Sequence, residues 1–248
     1  MKTRRFDSLE VHQHPDRAAL GLAAARSVAA TIAACGEARV VFACAPSQDE
    51  FLAALIAQPV DWAKVTVFHM DEYAGLPASH PASFRNYLRG HLLAHIASRA
   101  VHLIRAEADS SDEAARYAAL LAERPLDLVC LGIGENGHLA FNDPPVADFA
   151  DPALVKLVAL DDACRQQQVN DGCFPALDAV PTHALTLTIP ALLSARAISC
   201  VVPGGRKAKA VRAALLGPIA TGCPASALRT HPRAVLHLDD AAAALLPA

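Results

Sequence analysis

Three short strand-like runs, ARVVFAC at 38–44, KVTVFH at 64–69 and LDLVCLGIG at 126–134, constrain this chain most, and the third is more uniformly apolar than an exposed antiparallel strand would be. A strand that is apolar on both sides has to be covered on both sides, as a parallel strand is when helices lie above and below it. The intervening stretches read as helices. HPDRAALGLAAARSVAATIAAC starts with Pro15 and Asp16 and continues as an alanine-rich body, APSQDEFLAAL turns into a second helix, and SFRNYLRGHLLAHI follows the second run. DEAARYAALLAE follows Ser110, which with Glu113 has the spacing of a capping box. VHLI at 101–104, LVKLVAL, THALTLTI, AISCVV and RAVLHL are further strand candidates, with PALLSA and GRKAKAVRAALLG as helices among them. This alternation predicts an α/β fold: a doubly wound, mostly parallel sheet with helices on both faces and a ligand site beyond the carboxyl ends of strands.

No repeat and no low-complexity linker divides the sequence, and 248 residues suffice for one substantial core, so 1–248 is expected to be a single domain. Residues 161–182 lack a regular pattern; they read as a lid or active-site rim, or as a flat surface loop. A formal charge of −3 without a basic run argues against a nucleic-acid partner. Neither a signal-like apolar core after the first basic residues nor a long apolar span is present, so the expectation is a cytoplasmic protein with no membrane association. The seven cysteines are scattered without a paired CxxC pattern and read as packing groups of a reducing compartment, with no metal site implied.

Two polar segments follow predicted strands. HMDEY at 69–73 sets Asp71 beside Glu72; adjacent carboxylates repel, and partial burial raises the proton affinity of one enough for acid–base work. The same pair also suits a helix-start cap or a solvated loop. In LGIGENGHLAFNDPP at 131–145, Gly132, Gly134 and Gly137 permit tight backbone paths, His138 exchanges a proton near neutrality, and Asp143 can orient its ring. A polar turn holding a structural histidine is the alternative, and the glycines lack the context of a dinucleotide fingerprint. Ser47 in APSQDEF, and Arg206 and Lys207 after the glycine turn of VVPGGRKAKAV, are candidates for contacting a phosphate. The other histidines, His12, His14, His69 and His237 among them, carry no comparable motif and read as surface or packing residues, with Arg229 and His231 as rim candidates.

Taken together, FHMDEYAGLP at 68–77, LGIGENGHLAFNDPP at 131–145, THALTLTIPALLSA at 183–194 and PGGRKAKAV at 203–211 resemble the glucosamine-6-phosphate deaminase/isomerase family, in order over nearly the whole chain. The resemblance implies a NagB-like α/β core acting on a phosphorylated amino sugar without a cofactor or metal. It implies Asp71 as the proton shuttle between sugar C2 and C1, and His138 as the group that assists ring opening at the ring oxygen. Asp143 then orients His138, Glu72 supports the electrostatics, and Asn136 stands where some relatives carry aspartate. Lys207 matches a phosphate-contacting lysine, and Ser47 matches the hydroxyl of a phosphate loop in which Ala45 and Pro46 replace glycines. Asn170 in RQQQVND falls where the family carries an arginine. The resemblance also admits a homo-oligomer.

The leading expectation is therefore aldose–ketose isomerisation of an amino-sugar phosphate with ammonia release. A related sugar-phosphate isomerase, a 6-phosphogluconolactonase-like hydrolase and a non-catalytic sugar-phosphate sensor are the alternatives.

Overall fold

The computed structural model describes residues 2–247. In chain order its strands are β1 (Lys2–Phe6), β2 (Leu9–His14), β3 (Ala38–Phe42), β4 (Val65–His69), β5 (Asp71–Tyr73), β6 (Ala100–His102), β7 (Leu128–Leu131), β8 (Val155–Ala159), β9 (His183–Leu187), β10 (Ala197–Val202) and β11 (Ala234–Asp239). The helices are α1 (Arg17–Ala33), α2 (Asp49–Ile56), α3 (Phe84–His91), α4 (Ser110–Ala122), α5 (Asp162–Asn170), α6 (Ile189–Leu193) and α7 (Ala208–Leu216). Among the described residues, no helix is long and apolar enough to cross a membrane.

Eight strands form one sheet in the order β1-β2-β11-β10-β7-β3-β4-β6, parallel throughout except for the β1–β2 hairpin at its edge. Every residue of β3, β7 and β10 is buried. Their side chains alternate between two cores: Val41, Val129, Leu131 and Ile198 pack with α4, α6 and α7, while Val40, Phe42, Leu128 and Cys130 pack with α1, α2 and α3. Uniform apolarity in the sequence thus reflects a sheet sandwiched between helices, as expected.

Three features depart from the sequence reading. LVKLVAL and THALTLTI do not join the parallel sheet; with β5 they form a separate antiparallel sheet in the order β5-β9-β8. The stretch 161–182 is not irregular throughout, because α5 occupies Asp162–Asn170 with the Asp161 side chain accepting from Cys164 N–H. The proposed capping box is also displaced by one residue. Asp109 is the N-cap, accepting from the N–H groups of Ser111 and Asp112, and Glu113 instead pairs with Arg116 and accepts from Arg105 N–H. Asp16 caps α1 as expected, accepting from Ala19 N–H.

The α1–α2 crossing sets the position of the segment before α2. At Gly21 of α1, a Cβ would meet the Glu50 carbonyl carbon at 2.8 Å and its Cβ at 2.9 Å, so the helices approach to a distance only glycine allows. Arg17 on the same helix ties the crossing by a two-pronged pair with Glu50, at 2.6 and 2.8 Å, and donates to Pro46 O at 3.1 Å. In Gly21→Ala, higher helix propensity contributes about 1 kcal/mol of stabilisation, while overpacking against backbone costs about 1–3 kcal/mol. The steric effect wins, and the expected outcome is a lower urea midpoint with an unchanged slope. A midpoint equal to or above the parent's would show that the helices separate freely.

Candidate active site

The strand order reverses between β3 and β7, since β4 and β6 extend from one side and β10 and β11 from the other. Loops leaving the carboxyl ends on either side of such a reversal diverge and open a crevice. A cleft lies there, lined by the segments after β3, β4, β7 and β10 and by α5.

Asp71 enters the cleft because the chain changes sheets at Met70. It leaves the large sheet at His69, and Met70 O accepts from Leu187 N–H at 2.8 Å, which starts the pairing of Asp71 with Thr186 in the small sheet. Side chains alternate along a strand, so Asp71 lines the cleft and Glu72 points away. Glu72 is fully buried and accepts from Ser83 Oγ (2.8 Å), Phe84 N (3.1 Å), Arg85 N (2.9 Å) and Arg85 Nε (3.2 Å), which closes the start of α3. Asp71 is 6% exposed; burial first, and the charge of Glu72 second, push its carboxyl well above the ordinary carboxylate range.

Of the glycines after β7, Gly134 makes room for His138. Gly134 lies under the imidazole, where a Cβ would come within 2.3 Å of the ring, and its N–H donates to His138 O at 2.9 Å. Gly137 adopts φ +89° and packs against Cys223, whose Sγ would lie 2.7 Å from a Cβ. His138 lines the cleft with its Nδ1 2.9 Å from Asp143 Oδ1, off the line of a straight hydrogen bond. Asn136 is behind it, donating Nδ2–H to Asp143 Oδ1 at 2.8 Å and accepting from His138 N–H at 3.1 Å. Burial raises the proton affinity of Asp143, but the contacts with His138 and then Asn136 outweigh it and hold the carboxyl below its usual range.

Of the remaining candidates, Ala45, Ser47 and Lys207 line the cleft. Ser47 accepts from Gln48 Nε2 at 3.1 Å, and Pro46 starts the single turn that leads into α2. The Gly204 turn before Lys207 is fixed by its N–H, which donates to the Asp239 carboxylate at 2.9 and 3.0 Å. Burial pulls the Lys207 ammonium below its usual range, an effect that Asp171 and Glu135 partly offset. Arg206 is half-exposed and does not reach the lining; it pairs with Asp171 at 2.6 Å and Glu135 at 3.4 Å. Asn170 is exposed and accepts from Gln166 Nε2, whereas Gln167 and Gln168 are the α5 residues that face the cleft. Sequence reasoning missed these two and Gln48, although the glutamine run in a segment of otherwise unassigned chemistry was a visible signal. Arg229 and His231 are not at the rim: Arg229 pairs with Asp7, and the His231 ring meets Ala195 O.

The family described as glucosamine-6-phosphate isomerases/6-phosphogluconolactonase matches residues 15–236. The chain belongs to this family. It is 38% identical to a glucosamine-6-phosphate deaminase of Listeria welshimeri over 78% of this chain and 81% of the relative. A counterpart in Exiguobacterium sibiricum is 37% identical over 75% and 73% of the two chains. Among solved structures, a monomeric glucosamine-6-phosphate deaminase superposes with a TM-score of 0.87 at 31% identity, covering 95% of this chain and 99% of that one. A 6-phosphogluconolactonase of Trypanosoma brucei superposes at 0.78 with 18% identity over 99% and 100% of the chains, a likeness of fold alone.

The raised carboxyl of Asp71 carries a stability consequence with a definite sign. Below the unfolded pKa of about 3.9 the group is protonated in both states and burial carries no ionic penalty. As pH rises from there through the higher folded value, folding has to bury a charge or retain a proton, and stability is lost. Asp71→Asn removes that dependence, so the variant is expected to melt higher than the parent at pH 8 and at the same temperature near pH 3. Melting curves across this range test it; a variant less stable at pH 8 would mean that native contacts favour the charged form.

Proposed function

We propose that this chain is an aldose–ketose isomerase and deaminase that converts glucosamine 6-phosphate, with water, to the corresponding ketose phosphate and ammonia. The observation that carries the reading is that Asp71 and His138, far apart in sequence, line one cleft together with Lys207 and Ser47.

In this proposal the sugar phosphate sits against Lys207 and Ser47. A buried ammonium favours an anion because the pair removes the cost of the isolated charge. His138 exchanges a proton with the ring oxygen to open the pyranose, with Asp143 stabilising the imidazolium as it forms. Asp71, in its ionised form, takes the C2 proton of the open-chain substrate. The electron pair left behind delocalises towards C1 as an enolamine, and the protonated Asp71 returns the proton to C1. The C2 imine that results is hydrolysed by water, which supplies the ketose oxygen and releases ammonia. A carboxyl with raised proton affinity suits both halves of that transfer, because it accepts a proton readily and keeps it until C1 is ready.

The deaminase reading is favoured over lactone hydrolysis because the relatives at 37–38% identity are named as deaminases, while the lactonase structures share 21% or less. Gln167 and Gln168, which line the cleft, support a role for 161–182 as its rim. The seven unpaired cysteines are consistent with a reducing, cytoplasmic setting.

Incubation of the purified protein with glucosamine 6-phosphate should yield ammonia and ketose phosphate in equal amounts. Tight binding without turnover would favour a sensor, and turnover of 6-phosphogluconolactone in its place would favour the hydrolase. Asp71→Asn should lower kcat by about 10²–10⁴-fold and suppress solvent-hydrogen exchange at C2; exchange at the parent rate would remove Asp71 from the shuttle role. Because Asp71 has to be ionised, kcat/KM should fall with decreasing pH through a value above the ordinary carboxylate range, and an acid limb at or below about pH 4 contradicts the assignment. Lys207→Met should raise KM by tenfold or more with a smaller change in kcat.

A further inference from the structure

Three histidines that lie outside the cleft converge on the large sheet. Glu10, His12 and His14 occupy alternate positions of β2 and so share one face. β11 pairs with β2 in parallel register, His237 opposite His12, which brings a third imidazole to the same side. Val11, Leu236 and Leu238 point to the opposite core, so the histidines lie on the side covered by α1. The ring centroids are 5.3, 5.6 and 6.4 Å apart. One ring nitrogen of each falls within 4.8 Å of the other two. His14 and His237 are buried, while His12 keeps 20% of its side chain exposed and offers a path from solvent.

We propose that His12, His14 and His237 form a binding site for a divalent transition-metal ion of the zinc class, separate from the sugar-phosphate cleft.

One separation favours this reading over simple packing. His14 Nε2 and His237 Nδ1 are 3.4 Å apart. Hydrogen-bonded nitrogens and oxygens approach to about 2.7–3.2 Å, whereas a tetrahedral zinc with Zn–N bonds of about 2.0–2.1 Å sets its ligand nitrogens roughly 3.3 Å apart. The observed separation is closer to the edge of a coordination tetrahedron than to a good hydrogen bond. His237 Nε2 is buried without a partner, so contacts within the protein leave one nitrogen of this ring unaccounted for. Glu10 Oε1 lies against His12 Nε2, and a carboxylate beside an imidazole is a common means of orienting a metal ligand. Three imidazoles leave a fourth position for water or a carboxylate, a donor set that suits Zn²⁺ and is shared by Co²⁺, Ni²⁺ and Cu²⁺. An ion held here bonds β2 to β11 and clamps the edge hairpin to the parallel sheet.

The test is a titration of the full-length, metal-free protein with Co²⁺ and then Zn²⁺. One equivalent of Co²⁺ is expected to give the visible absorption of a tetrahedral site, Zn²⁺ to displace it, and one equivalent of Zn²⁺ to raise the melting temperature by a few degrees. His12→Gln, at a partly exposed position, and His237→Gln should each weaken Co²⁺ binding at least tenfold, with folding verified by circular dichroism. His138, which lines the cleft, forms a second group of close ligand atoms with the buried Asp143 and Cys164, so Cys164→Ser serves as the control and should bind Co²⁺ as the parent does. Absence of the Co²⁺ band in the parent, or its survival in folded His12→Gln, overturns the proposal.

Discussion

Two-sided burial of the central strands is the constraint on which the rest of the molecule depends. Because β3, β7 and β10 have no face to spare for water, polar groups in this region can enter solvent only where strands end. The reversal of strand order between β3 and β7 then decides which ends open a crevice. Ser47, Asp71, His138 and Lys207 follow the ends of four different strands, β3, β4, β7 and β10, while α5 adds Gln167 and Gln168. Gly21 belongs to this machinery although it is remote from the chemistry, since the α1–α2 crossing determines where the turn containing Ser47 can lie.

Two carboxyl groups of the cleft region have opposite environments. Asp71 is buried beside another acid and has its proton affinity raised; Asp143 is buried against His138 and Asn136 and has its proton affinity lowered. Divergence of this kind separates a group that exchanges protons from one that remains a fixed negative charge. Glu72 contributes from a distance. Its oxygens are occupied by the start of α3 and by Arg85, so its position is fixed, while its charge still acts on Asp71.

The central strands and the GENGHLAFND segment were legible in the sequence because their signals are local: uninterrupted apolarity, and glycines beside a histidine. The small antiparallel sheet was not, since a strand pattern does not name its partner and β5 is a three-residue strand bearing two acids. Helix α5 was hidden by its polarity; only Cys164, Gln167 and Gln168 are buried on it, too few for a visible apolar stripe. Asn170 was singled out by the resemblance alone, and without a helical phase nothing showed that the residues two and three positions earlier face the cleft. His12, His14 and His237 were unreadable as a group, because only the pairing of β2 with β11 brings them together.

That pairing has a consequence for biosynthesis. β11 sits between β2 and β10, so the β1–β2 hairpin, which precedes β3 to β10 along the chain, has no further neighbour in the large sheet until β11 has been synthesised. Until then the inner edge of β2 offers its amide and carbonyl groups to any extended chain nearby. Nascent polypeptide is therefore most exposed to wrong pairing during elongation, and chaperone engagement in that interval has a defined target at the hairpin.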